Sequence, residues 1–134
     1  MNNIGTLTAG LAVGGVIPPI TNNVATYDGT NWTTATSAPV PLVSNGSSGI
    51  QTDAILYGGL LPSPHSTTTI KWDGSSWTTL SATLGQGRNN GAACGISPSS
   101  TQAFYAGGDV SETTVYANTE EFSSGPATVT ITTS

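Results

Sequence analysis

The sequence predicts an all-β protein built from about three four-stranded units, and three observations carry that expectation. First, an alanine-containing apolar stretch runs three times into a glycine pair: Leu11-Ala12-Val13-Gly14-Gly15, Ile55-Leu56-Tyr57-Gly58-Gly59 and Phe104-Tyr105-Ala106-Gly107-Gly108. Second, an aromatic residue follows each pair by 12 to 14 residues. In the first two copies it opens near-identical segments, Tyr27-Asp28-Gly29-Thr30-Asn31-Trp32 and Trp72-Asp73-Gly74-Ser75-Ser76-Trp77, while Glu121-Phe122-Ser123-Ser124-Gly125 is a degenerate third. Third, no stretch carries a helical period, and short threonine, valine and aromatic runs alternate with Gly, Pro, Asn and Asp. A self-similar unit of 44 to 50 residues marks an array of small sheets.

Taken in order, residues 1–5 show no strand pattern, so the first unit is expected to lack its leading strand. Residues 6–15 match the strand that ends in a glycine pair. The clearest copy predicts strands at 53–57, 67–72 and 77–81, with a further one at 91–96. Asp73-Gly74 makes a tight connection, because glycine accepts positive φ and the aspartate can bond backbone two residues ahead. The alternating run at 128–133 takes the slot of Trp-Thr-Thr in the earlier copies, and Ala127 stands where a third tryptophan is expected. The units divide at about 1–43, 44–90 and 91–134, within one domain of 134 residues. Four short strands per period match one blade of a β-propeller.

Composition excludes several function classes. Charged residues make up 7 % of the chain, with Lys71 and Arg88 set against seven acids for a net charge of −5. Two cations cannot displace the counterions of a nucleic acid, and an acidic surface is repelled by anionic membranes. The N-terminus has no basic region, and its apolar stretch is broken by Gly14-Gly15 and Pro18-Pro19, so no signal peptide or membrane insertion is expected. Asn31-Trp32-Thr33 and Asn45-Gly46-Ser47 match the glycosylation pattern but read as hairpin residues. The chain's one cysteine, Cys94, cannot form an internal disulfide. His65 and Cys94 are single residues of their types and lie far apart in sequence, which leaves no catalytic dyad. Clustered metal ligands are lacking too, since Asp28 and Asp73 occupy equivalent turns of different units. No catalytic residue, metal or cofactor is assigned, and the chain reads as a non-enzyme.

The patterns Thr8-Ala9-Gly10-Leu11-Ala12 before Gly14-Gly15, Tyr27-Asp28-Gly29-Thr30 before Trp32-Thr33, and Arg88-Asn89 before Gly91-Ala92-Ala93 resemble the kelch-like propeller repeats of tailed-bacteriophage virion and tail proteins. The likeness covers residues 6–125, and Glu120-Glu121-Phe122 is similar to the Glu-Glu-Tyr of those repeats. It implies kelch-like β-propeller blades in a virion structural protein of the tail, neck or capsid surface, made in the host cytoplasm. It also implies that Arg88 matches the family arginine and bonds carbonyls of the connections between blades. The Trp72-Trp77 hairpin is also similar to one in small fucose-binding propeller lectins. Their partner arginine and glutamate have no counterpart at residues 54–57 or 68–70.

Tyr27, Trp32, Trp72 and Trp77 are the residues best suited to bind something, because aromatic faces stack on the apolar C–H patches of sugars. The competing expectation is that they pack between sheets, with the Trp77 indole buried. Gly14, Gly15, Gly58, Gly59, Gly107 and Gly108 are expected at crowded strand ends, and Asp28, Gly29, Asp73 and Gly74 in turns. Three blades leave two open sheet faces. A homo-oligomer that completes the ring is therefore expected, alongside other virion proteins or a host-surface glycan as partners. A self-closed three-sided β-prism is the alternative.

Overall fold

The computed structural model describes residues 1–16, 19–60, 65–95, 100–111, 113–124 and 129–133. Pro62, Pro64, Gly125 and Ala127 lie outside them. No helix occurs among the described residues, and the chain forms three four-stranded antiparallel sheets. The first comprises β1 (Asn2–Thr6), β2 (Ala9–Val16), β3 (Ile20–Tyr27) and β4 (Trp32–Ala35). The second comprises β5 (Gly46–Ile50), β6 (Asp53–Tyr57), β7 (Thr69–Trp72) and β8 (Trp77–Thr79). In both, neighbours in sequence are neighbours in the sheet. The third is built from β9 (Ala92–Gly95), β10 (Gln102–Ala106), β13 (Thr119–Ser124) and β14 (Val129–Thr133). Between β10 and β13 a small ribbon of β11 (Asp109–Ser111) and β12 (Thr114–Val115) is inserted.

Three expectations need correction. The first unit does not lack its leading strand, because Asn2–Thr6 pairs along its length with β2. Only Ile4 of that strand is buried, so no apolar alternation announced it. The run at 91–96 is the first strand of the third sheet. The second sheet's own first strand is the glycine- and serine-rich Gly46–Ile50, which the sequence pattern does not single out. Asn45 ends a linker rather than sitting in a hairpin, and Gly46 and Ser47 open β5.

The three sheets stack in chain order. First strands lie side by side, β1 by β5 and β5 by β9, whereas third and fourth strands of neighbouring sheets make no such approach among the described residues. The sheets therefore converge on their first strands and splay outward. Among the described residues the first and third sheets share no comparable contact, and these residues do not form a closed three-sided prism. Large side chains fill the widening gaps. Between the first two sheets lie Leu11, Val13, Val24, Leu42, Leu56, Ile70 and Trp72. The second gap holds Ile55, Tyr57, Leu84, Ala103, Tyr105 and Phe122. Residues 54–57 are thus buried on both faces of the middle sheet, as expected for a strand flanked by two cores.

Linkers at residues 36–45 and 80–91 run back from a fourth strand to the next first strand. Their backbone passes so close under the glycine pairs that side chains do not fit. A Cβ on Gly14, at φ +68°, would lie 2.1 Å from the Leu42 carbonyl oxygen. The Gly15 amide donates to that oxygen at 3.1 Å, and the Gly59 amide donates to the Arg88 carbonyl at 2.8 Å. Leu42 and Arg88 are therefore equivalent positions.

Candidate functional site

The register makes the aromatic residues directly comparable. Tyr27 pairs with Trp32 across β3–β4, and Trp72 with Trp77 across β7–β8. Both pairs stack in a tilted geometry, with ring centroids 5.0 and 4.9 Å apart. Their surroundings differ completely. Trp72 is fully buried against the first sheet, with its Nε1 donating to the Gln51 carbonyl at 2.8 Å. Trp77 is half-buried rather than enclosed as expected, because it lies at the wide rim of the gap. Its Nε1 donates across that gap to the Thr36 carbonyl at 2.9 Å. Tyr27 and Trp32 sit on the outer face of the first sheet, where no sheet covers them among the described residues. Trp32 is 57 % exposed. They line a groove of about 340 Å³ together with Ile4, Gly5, Leu7 and Gly10. Of the two pairs, Tyr27 and Trp32 have no sheet beside them among the described residues, while the half-buried Trp77 packs at the rim of the first gap.

The Asp-Gly turns hold these pairs in place. Asp28 Oδ1 accepts from the Thr30 and Asn31 amides at 2.8 and 2.7 Å, and Asp73 Oδ1 from the Ser75 and Ser76 amides at 2.9 and 2.7 Å. The Ser75 and Ser76 hydroxyls also donate to Asp73. Amide bonds from Asn31 and Thr30 hold the Asp28 carboxyl below its usual range, and the Ser76 hydroxyl and amide do the same for Asp73. Gly29 and Gly74 both take φ +97°, and each glycine-pair residue, from Gly14 and Gly15 through Gly58, Gly59, Gly107 and Gly108, is also at positive φ.

Arg88 is fully buried between the second and third sheets. Its Nη1 donates to the Gly107 and Asn118 carbonyls at 3.3 and 3.2 Å and to Asn118 Oδ1 at 3.1 Å. Nη2 pairs with the buried Glu120, whose other oxygen accepts from the Gly85 amide at 2.6 Å. The guanidinium also lies 5.5 Å from the Tyr105 ring centre. Sequence alone does not separate Glu120 from Glu121 beside it, which looks the same and faces outward. Their surroundings make Arg88 and Glu120 a structural pair without access for a ligand.

His65 is half-buried, with its backbone packed beside Gly87, and Cys94 lies exposed on β9. Cys94 borders a groove of about 240 Å³ where β1, β5 and β9 converge, lined also by Asn3, Ile4, Ser47 and Ser48. Asp53 is bonded by Ser100 and Lys71, at 2.6 Å from the Ser100 hydroxyl and 3.4 Å from Lys71 Nζ. Burial raises its carboxyl, but those partners outweigh it and leave the group below its usual range. Among the described residues no group of three or more His, Cys, Asp or Glu side chains could hold a metal ion.

No protein-family model and no curated protein matches this chain. Among solved structures, the fold is similar to that of YjhT, with a TM-score of 0.77 at 16 % identity. The superposition covers 97 % of this chain and 44 % of YjhT, so this chain spans less than half the length of that protein. At such identity the likeness concerns the fold alone.

Proposed function

We propose that this chain is a non-enzymatic assembly protein of a tailed-bacteriophage virion, a tail, neck or capsid-surface component built from kelch-like propeller blades. Radial convergence of the sheets on their first strands supports the blade reading. The observation that carries the functional reading is the contrast between two equivalent aromatic pairs. Trp72 is buried by a neighbouring sheet and Trp77 packs at its rim, while Tyr27 and Trp32 present the same chemistry on a face that carries no neighbouring sheet among the described residues. A bare sheet face of this kind acts by docking protein. Mass spectrometry of purified particles from a phage that encodes the sequence tests the reading. The protein is expected at stoichiometric abundance and at a defined site in a cryo-EM map, and its absence from the particles refutes a virion role.

A second reading rests on the groove beside Tyr27 and Trp32, whose aromatic faces suit a neutral sugar on the host surface. A glycan array separates the two. Binding that survives in wild type and disappears in Trp32→Ala favours a lectin, and a blank array leaves assembly as the role.

A further inference from the structure

We propose that two copies of this chain dock head to tail, the outer face of the third sheet of one covering the Tyr27–Trp32 face of the other, to close a ring of six sheets. The inference rests on the assembly reading above and names its partner. Two internal interfaces serve as templates. In each, a preceding sheet offers a trailing face and the next sheet a leading face. Leu11 and Ile55 occupy one trailing position and are 1 % and 0 % exposed. By register, Phe104 of the third sheet is their equivalent, and it is 41 % exposed. On the leading side, Trp72 and Phe122 are covered, and Tyr27 is their uncovered equivalent.

The turn between first and second strands gives a second, independent match. Gln51 reaches back to the Gly10 and Tyr27 carbonyls of the preceding sheet at 3.1 and 2.7 Å. Ser100, at the same place in the third sheet, reaches back to Asp53. The first-sheet equivalent is Leu7, which stands 93 % exposed with nothing to reach. Size complementarity favours a second copy over an unrelated sheet. Trailing Leu11 shares its core with leading Ala54, and trailing Ile55 shares its core with Ala103. The free pair in the same positions is Phe104 with Gly10, the largest trailing residue opposite the smallest leading one, so the gap would be filled to the same depth. Two copies supply six sheets, inside the range of about four to eight that closes such rings. Two head-to-tail contacts related by a two-fold axis also leave no free face.

Light scattering on the chain, with the variants Phe104→Asp and Trp32→Asp, tests the proposal. Wild type is expected at twice the 13.4 kDa mass of one chain. Each variant is expected to run as a monomer with an unchanged circular dichroism spectrum, its association weakened by about thirtyfold or more, as for loss of a central aromatic. Each variant keeps one intact face, so mixing the two restores a one-to-one complex that neither forms alone. A folded wild-type monomer up to millimolar concentration overturns the proposal, and so does a ladder of higher oligomers. A dimer lost in Trp32→Asp but kept in Phe104→Asp points to face-to-face pairing and overturns it as well. If either variant fails to fold, a Leu7–Phe104 cross-link sought by mass spectrometry of a Leu7→Cys, Phe104→Cys, Cys94→Ala protein decides, its absence counting against docking. A monomer that is nonetheless found in particles removes the ring and leaves the virion role standing.

Discussion

Trp72 and Trp32 stand on opposite strands of two near-identical hairpins and differ sharply in burial, so the same substitution at each measures burial for one side-chain type. Trp72→Ala deletes a fully buried indole and strands the Gln51 carbonyl. It is expected to cost about 3–5 kcal/mol in urea unfolding. Trp32→Ala removes an exposed ring and is expected to cost less than about 1 kcal/mol in the monomer. Equal losses would show that Trp32 is covered within one chain. The turn aspartates make a second test. Both carboxyls are held below their ordinary value of 3.8 by donors present only in the folded turn. Their contribution is therefore complete above that value and is lost as pH falls below it. Melting temperature is expected to drop from pH 6 toward pH 3 in wild type. The Asp28→Asn, Asp73→Asn double variant should flatten that drop, and parallel curves would remove the turns from the acid response.

The linkers are the elements in which the two internal interfaces diverge. Leu42 lies with Ile70 in the first gap, whereas the equivalent positions in the second gap are Arg88 and Glu120. An apolar contact has been replaced by a buried ion pair, which gains its attraction only after large desolvation. Glu120→Ala leaves Arg88 buried and uncompensated, and a loss of about 3–5 kcal/mol is expected. The double variant Arg88→Leu, Glu120→Ile copies the first interface and is expected to recover more than half of that loss in thermal unfolding. Failure to recover would mean that the Arg88 bonds to Gly107 and Asn118 matter more than the charge pair. Glycine pairs at the linker crossings are legible from sequence, because a close backbone approach at positive φ admits almost no other residue. Strands β1 and β5 are not legible, since main-chain pairing holds them and few of their side chains enter a core.

Across the whole molecule, stability is expected to be uneven. Among the described residues the second sheet is covered on both faces, and the first and third on one each. Amide exchange should be slowest at residues 54–57 and faster on β2 and β10 at low protein concentration. Raising the concentration should slow β2 and β10 selectively, since association protects the faces that it covers. Uniform protection at every concentration would argue that three sheets are sufficient alone.

Low charge, threonine-rich alternation and Asp-Gly turns determine by themselves that this chain is all-β, built from small antiparallel sheets. These are local requirements, met within a few residues of backbone. Which aromatic pair is buried is a different kind of fact. Tyr27-Asp28-Gly29 and Trp72-Asp73-Gly74 build the same hairpin, and only the sheet placed beside each one makes Trp72 core and leaves its equivalent Tyr27 beside an open groove. Glu120 and Glu121 are likewise alike in sequence, and strand alternation turns one onto Arg88 and the other outward. The tertiary structure decides these assignments because burial depends on a neighbour distant in sequence, and a repeat carries no local record of whether its neighbour is there.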